Sequence, residues 1–381
     1  LGLPRDRGGG AGMPAEPGDE SPARGLSGIA RYLEAQRGDG GDAEVALEAH
    51  LTDIVDSVLR AEHSLSERWR PRAGDLSQVI PARRRAELIT WMMQSFELLH
   101  LDDTFLHSVT LTLDRYWAKT PEPVDDNVLQ YVLLSAVCTE LKTTGGDEFP
   151  DHHWKRLITH LCQGRVPLVV ILQMECEVLA RLDYVVGLPT PVTFLRSLGI
   201  RLKIDPAAPV CLGLAMFLLE LVLLDPELEY HYPHAHLAAG ALCAAFRVLD
   251  APAQRKEDLL EDVEVFGEPD SDSCRSAAES VADCEEDILS FWLHCYMNMG
   301  ELSCYFASLQ VKYNRQSWHC VGLLNPAEAL GRLREERSVA LRQACGLCPP
   351  GTAVTHSPAP CSAFSRALTS QELHTGLAGT A

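Results

Sequence analysis

"DDNVLQYVLLSAVCTELKTTGGDEFPDH", residues 125–152, decides the fold. From Val128 to Cys138 the stretch is apolar nearly all round, the pattern of a helix at the centre of a bundle. The letters Gly145-Gly146-Asp147-Glu148-Phe149 follow, and their meaning depends on their flanks. Pro150 comes directly after Phe149, and proline cannot donate to a central sheet ladder. Asp151 then caps the next helical pattern. The stretch reads helix–loop–helix.

Diguanylate cyclases use the same five letters in a turn between two strands, where they present acids to a metal and a nucleotide. The flanks here exclude that chemistry. Working outward, every neighbour is helical. "RRRAELITWMMQSFELLH" (83–100) sets Leu88, Trp91, Met92, Phe96 and Leu99 on one stripe. "DDTFLHSVTLTLDRYWAKT" (102–120) opens at an Asp cap and repeats Phe105, Val109, Leu113 and Tyr116. "DHHWKRLITHLCQ" (151–163) and "PLVVILQMECEVLARLDYVV" (167–186) complete a set of five. "GLPTPVTFL" (187–195) breaks the chain and starts it again. The second half repeats the style in "APVCLGLAMFLLELVLLDP" (208–226), "PHAHLAAGALCAAFRVLDAP" (233–252) and "EEDILSFWLHCYMNMGELSCYFASLQVKY" (285–313). The expected fold is all-α, two helical bundles in tandem. A further amphipathic helix is expected within 43–64, carrying Val45, Leu51, Ile54, Val58 and Leu59.

Composition bounds the remainder. Residues 1–42 are rich in Gly, Pro, Arg and acids and read as disordered. Segment 253–287 holds thirteen Asp/Glu from Glu257 to Asp287 against one Arg, and reads as a solvated, partly disordered acidic insertion. The tail, 332–381, is expected to be unfolded, most clearly beyond Arg337. Leu1 in place of Met suggests a piece of a longer product, and no secretory leader or Arg-x-x-Leu degradation signal opens the chain. The net charge of −20 argues against nucleic acid as a partner. The longest apolar run, 211–224, is too short to span a bilayer. Thirteen scattered Cys read as reduced, buried small hydrophobes.

Several chemical candidates fall away. His231, His234 and His236 in "HYPHAH" lack a completing ligand and read as a loop leading into a helix. Cys345 and Cys348 form a lone Cys-x-x-Cys without a second pair. Phosphate-loop, nucleophile-elbow and zinc-protease motifs are absent from the sequence. No catalysis, metal or cofactor is expected. Two charges do stand out. Glu175 interrupts the stripe Leu168, Ile171, Leu172, Val178, Leu179, Leu182, Val185, and Lys142 ends the central helix. A buried lone charge is costly, so each needs a partner. One reading is an internal bridge at the mouth of the bundle. The other is a docking face, an ion pair ringed by Leu179, Tyr184 and Val186 and awaiting a partner's helix.

"RRAELITWM", "LTLDRYW", "LQYVLLSAVCTELK", "ILQMECEVLARLDY" and "LPTPVTFL" resemble, in order and spacing, the five-helix cyclin box. "LAMFLLELVLLD" resembles the opening of the C-terminal box, and "KYNRQSWHCVGLLNPAEAL" (312–330) the ending of A-type mitotic cyclins. The resemblance covers about residues 47–330 and divides the chain into a lead-in at 43–82 and boxes at 83–187 and 188–331. It implies a non-catalytic subunit that activates a cyclin-dependent serine/threonine kinase as a 1:1 heterodimer in the mitotic cell cycle, at G1/S and G2/M, in nucleus and cytoplasm, without nucleic acid or membrane. It implies kinase contacts at Lys142, Glu175, Leu179, Tyr184, Val186 and Ile54, and a structural pair, Arg85 with Asp114, bracing the first two helices. A patch for Arg-x-Leu substrates or inhibitors falls on Glu87, Leu88, Trp91 and Gln130. Arg84 and Glu87 replace apolar residues there, leaving Glu87 to draw the motif's Arg. After Lys142 the family's aromatic and two acids are replaced by Thr143-Thr144-Gly145. That departure motivates an alternative, a divergent scaffold or transcription-associated cyclin without cell-cycle kinase activation.

Overall fold

In the computed structural model, residues 56–121, 125–143, 151–162, 165–204, 210–264 and 276–344 are described. Two units divide the chain, residues 1–61 and 62–381. In the first, residues 56–61 are helical. In the second, residues 62–69 are helical and lead to the short α1 (Ala73–Val79).

The first bundle is α2 (Ala82–Leu98), α3 (Asp103–Ala118), α4 (Asp126–Thr143), α5 (Asp151–Leu161) and α6 (Leu168–Arg181). Helix α3 starts where Asp102 accepts from the Thr104 amide at 2.8 Å. Leu129, Val132, Leu133, Val137 and Leu141 of α4 are all buried, which makes it the central helix. Each such side chain contributes ~1.5–3 kcal/mol relative to exposure. Helices α4 and α6 meet at a small residue, Ser135, whose hydroxyl donates to the Ile171 carbonyl at 2.9 Å.

The second bundle is α7 (Pro191–Arg201), α8 (Val210–Val222), α10 (His234–Val248), α11 (Ala253–Glu264) and α12 (Ala277–Tyr296), with the short α9 (Pro226–Glu229) between α8 and α10. Pro191 and a Thr190–Thr193 capping box start α7 where the sequence breaks and restarts. Helix α10 is buried from His234 to Phe246 and is the second centre. Helix α13 (Ser303–Tyr313), two 3₁₀ turns (Gln316–Trp318 and Val321–Leu323) and α14 (Ala327–Ala344) follow. Among the described residues there is no strand, and the fold is all-α with two five-helix bundles in tandem.

Three expectations need correction. The acidic segment 253–287 is mostly regular structure, α11 and the start of α12, because Leu259, Val263, Val281 and Cys284 are buried at helical spacing. Residues 265–275 lie outside the described set. The tail does not end its order at 331: α14 runs to Ala344, with Leu330 and Leu333 buried. The Arg85–Asp114 pair does more than brace two helices. Arg85 donates to both Asp114 oxygens at 2.8 and 2.5 Å, to Glu229 at 2.5 Å and to the Leu223 carbonyl, so it ties the first bundle to α8 and α9. Tyr230 adds its hydroxyl to Asp114 at 2.5 Å. A second tie joins Lys312 of α13 to Asp103 of α3 and Glu220 of α8, at 2.6 and 2.5 Å.

Nine cysteines are free among the described residues. Cys138, Cys162, Cys243, Cys284 and Cys295 are buried as expected, while Cys176 and Cys304 are exposed. No described helix is long and apolar enough to cross a membrane.

Candidate partner-docking site

Helix α6 buries Ile171, Glu175, Val178 and Leu182 along one stripe. The stripe carries Glu175 inward as surely as its apolar neighbours, so the carboxylate must be satisfied there. Lys142, in the last turn of α4, reaches it with Nζ 2.6 and 2.9 Å from the two oxygens. The Thr139 hydroxyl lies 3.4 Å from the same group. Trp154 of α5 lies under the ammonium, 4.4 Å from Nζ to ring centroid, and adds a cation–π contact. Glu175 is 8 % exposed in its side chain and Lys142 33 %, so the acid is sealed in and the base faces outward. Beside them, burial first and then the Glu175 charge push the Cys138 thiol up to about 12, so it is no nucleophile at neutral pH.

The end of α6 shapes the neighbouring surface. Asp183 and Tyr184 both take left-handed backbone angles, φ 55° and 58°, uncommon for residues with side chains. The Tyr184 amide returns to the Leu179 carbonyl at 2.8 Å, and Arg115 holds the Val185 carbonyl at 2.7 Å. This turn leaves Tyr184 71 % exposed, while Leu179 and Val186 are half-buried. Val169, on the same helix, is also exposed. The structure therefore joins Lys142 to Glu175 and puts Leu179, Tyr184 and Val186 at the C-terminal end of the same helix. Ile54 lies outside the described residues.

The proposed substrate patch is differently arranged. Leu88 is buried, and Trp91 and Gln130 are half-buried. Glu87 is already taken: Arg84 lies at 2.8 Å, Arg83 at 3.6 Å, and the Tyr305 hydroxyl donates to it at 3.2 Å. The Arg84 hydrogen bond leads in holding its carboxyl below the usual range. An incoming arginine would have to compete with these partners.

Among the described residues no cluster of three metal-binding side chains exists. His234 sits at the start of α10, with Nδ1 2.8 Å from the Ser66 hydroxyl and 3.2 Å from the Pro189 carbonyl. His236 pairs with Ser280 at 2.9 Å. Cys345, Cys348 and the Gly145–Phe149 loop lie outside the described residues, but helices flank that loop on both sides. Trp154 and Arg115 were not singled out from sequence. Trp154 does stand on the apolar face of its helix, a legible signal, whereas the Arg115 contact with a carbonyl 70 residues away left none.

Two five-helix bundles in tandem, with an ion pair set at the mouth of the first, define an all-α architecture. Residues 189–320 match the family described as cyclin, C-terminal domain. The G2/mitotic-specific cyclin-B of Marthasterias glacialis is 27% identical over 201 residues, 52% of this chain and 49% of that protein. The G2/mitotic-specific cyclin-B2 of Anguilla japonica is 29% identical over 173 residues, 45% of this chain and 41% of that protein. The chain thus spans about half the length of the curated relatives it matches. A viral cyclin from herpesvirus saimiri aligns in structure with a TM-score of 0.47 at 18% identity, covering 62% of this chain and 99% of its own. Over residues 189–320 the chain is similar to the cyclin C-terminal domain, and the curated relatives it resembles are mitotic cyclins.

Proposed function

We propose that the chain is a non-catalytic regulatory subunit that docks a cyclin-dependent serine/threonine kinase on the first bundle and activates it in the mitotic cell cycle, in nucleus and cytoplasm. The observation that supports this most is the Lys142–Glu175 pair. Its acid is sealed into the bundle, its base is a third exposed, and an exposed tyrosine stands nine residues on (184 − 175), just past the end of α6. Such an arrangement offers a partner helix a fixed charge and an aromatic anchor, the residue types that carry interface energy. The kinase contribution would be positional: pressing its C-helix brings the catalytic Lys–Glu pair and the metal-binding Asp into line.

The test is co-purification with a panel of cyclin-dependent kinases, followed by a histone-kinase assay. Tyr184→Ala is the cleanest probe, because a side chain 71 % exposed can be removed with little effect on the fold. Tyr184→Ala is expected to lower bound kinase and activity together while leaving the melting temperature within ~2 °C, whereas Lys142→Ala, which strands the buried Glu175 carboxylate, should lower all three. Equal kinase capture by wild type and both variants, or no capture by any, would return the chain to the scaffold reading that Thr143 and Thr144 after Lys142 favour.

A further inference from the structure

The second bundle repeats the charge pair of the first, and the repeat is covered. In each bundle a basic residue closes the central helix, Lys142 on α4 and Arg247 on α10. Each reaches a buried glutamate on the fifth helix, Glu175 at 2.6 Å and Glu285 at 2.6 Å. Each glutamate–base pair is touched by the fourth residue of the fourth helix. That residue is Trp154 under Lys142 in one case, and Lys256, 2.7 Å from Glu285, in the other. The register agrees as well. Lys142 lies seven residues past Ser135 (142 − 135), where α4 meets α6, and Arg247 lies seven past Gly240 (247 − 240), where α10 meets α12.

The two mouths differ in what lies over them. Helix α14 is laid across the second. Glu336 meets Arg247 at 2.9 Å, and Arg332 donates to the Arg247 carbonyl at 2.8 Å. Arg337 spans Asp283 and Glu286 at 2.5 and 2.7 Å, and Arg334 reaches Glu286 at 3.2 Å. Arg247 is consequently 11 % exposed in its side chain, against 33 % for Lys142.

We propose that α14 is a resident occupant of a second helix-docking face. It fills on the second bundle the place that none of the described residues covers on the first, so the described chain presents one such face to a partner rather than two. The face takes an amphipathic helix with arginines three residues apart on one flank, two glutamates between them and leucines beneath. Its strength is modest. The flanking ion pairs are exposed and weaken with salt, so α14 can lift while the core beneath stays folded. The likeness of the mouths rests on reading Lys142–Glu175 as a docking face. The measurement below involves no kinase, so either idea can fail alone.

The full chain carrying Arg334→Glu and Arg337→Glu would be compared with wild type by hydrogen exchange. A labelled peptide of residues 325–344 would serve as the binding probe. Amides of α14 are expected to exchange about tenfold faster in the variant, those of α10 and the core of α12 at the wild-type rate. The variant should bind the peptide, more weakly at high salt, while wild type does not. Adding Asp283→Arg and Glu286→Arg should restore protection, which separates helix release from misfolding. Unchanged α14 exchange in the double variant would overturn the proposal. So would faster exchange without peptide binding, or peptide binding that Tyr184→Ala removes, which would place the peptide on the first bundle.

Discussion

Arg85 is 1 % exposed and faces two carboxylates, Asp114 and Glu229, that belong to different bundles. Its planar five-donor fork suits that position, which a lysine's single ammonium does not. Burial first, relieved by Arg85, pushes the Glu229 carboxyl up to about 8. Arg85→Met would keep the volume and remove the charge, leaving two buried acids side by side. The expected loss is about 3–5 kcal/mol, read by urea denaturation. The loss should shrink as pH falls toward 4.5. An acid whose folded-state pKa is raised binds its proton more readily folded than unfolded, so lowering the pH favours the native state. A loss under ~1 kcal/mol would mean the network contributes little. Sequence reading found half of this network. The resemblance supplied Arg85 with Asp114, but Glu229 lies 144 residues from Arg85, and nothing local in either segment announces the contact.

Helix packing shows a different kind of limit. Gly240 lets α10 approach α12 so closely that a Cβ there would lie 2.7 Å from the Cys284 sulfur and 3.1 Å from its Cβ. Gly240→Ala gains ~1 kcal/mol of helix propensity but forces an overpacked contact costing ~1–3 kcal/mol. The contact should win, for a net loss near 1 kcal/mol in chemical denaturation. Cys284→Ala in the same chain should restore most of it; failure of that rescue would place the cost elsewhere. Helices α11 and α12 explain the misread acidic segment. Counting thirteen acids between Glu257 and Asp287 averages over all faces of α11 and α12, whereas Leu259, Val263, Val281, Cys284 and Ile288 hold the inward face. The most buried acid of the run, Glu285, is held by Arg247 and Lys256. The extension of α14 was hidden for a related reason. Arg334 and Arg337 find their acids 48 to 54 residues earlier in the chain, on α12. Periodicity revealed which helices exist; it could not reveal which charged faces meet.

At the scale of the molecule, the tandem bundles were legible because each repeats a central apolar helix, but their coupling to pH comes from buried histidines. Burial first lowers His107 to about 3, with Lys312 and then His234 adding to it. Burial also lowers His234 to about 4, with Arg70 and His63 opposing its protonation, and His236 to about 4 beside the same two groups. The unfolded chain takes up these protons near 6.5, the folded chain only well below. Stability is therefore complete above 6.5 and is lost as pH falls toward 4. At ~1.4 kcal/mol per unit, His234 alone accounts for about 3 kcal/mol across that window. A net charge of −20 works the other way, because acidification relieves self-repulsion. The two effects separate in a variant, His234→Gln with His236→Gln, which keeps the charge at neutral pH and removes two titrations. Between pH 6.5 and 5, above most carboxylate titration, the wild-type melting temperature should fall. The variant should fall less steeply, because of the three only His107 still titrates. Parallel curves would assign the acid sensitivity to carboxylates instead and leave these histidines as neutral packing.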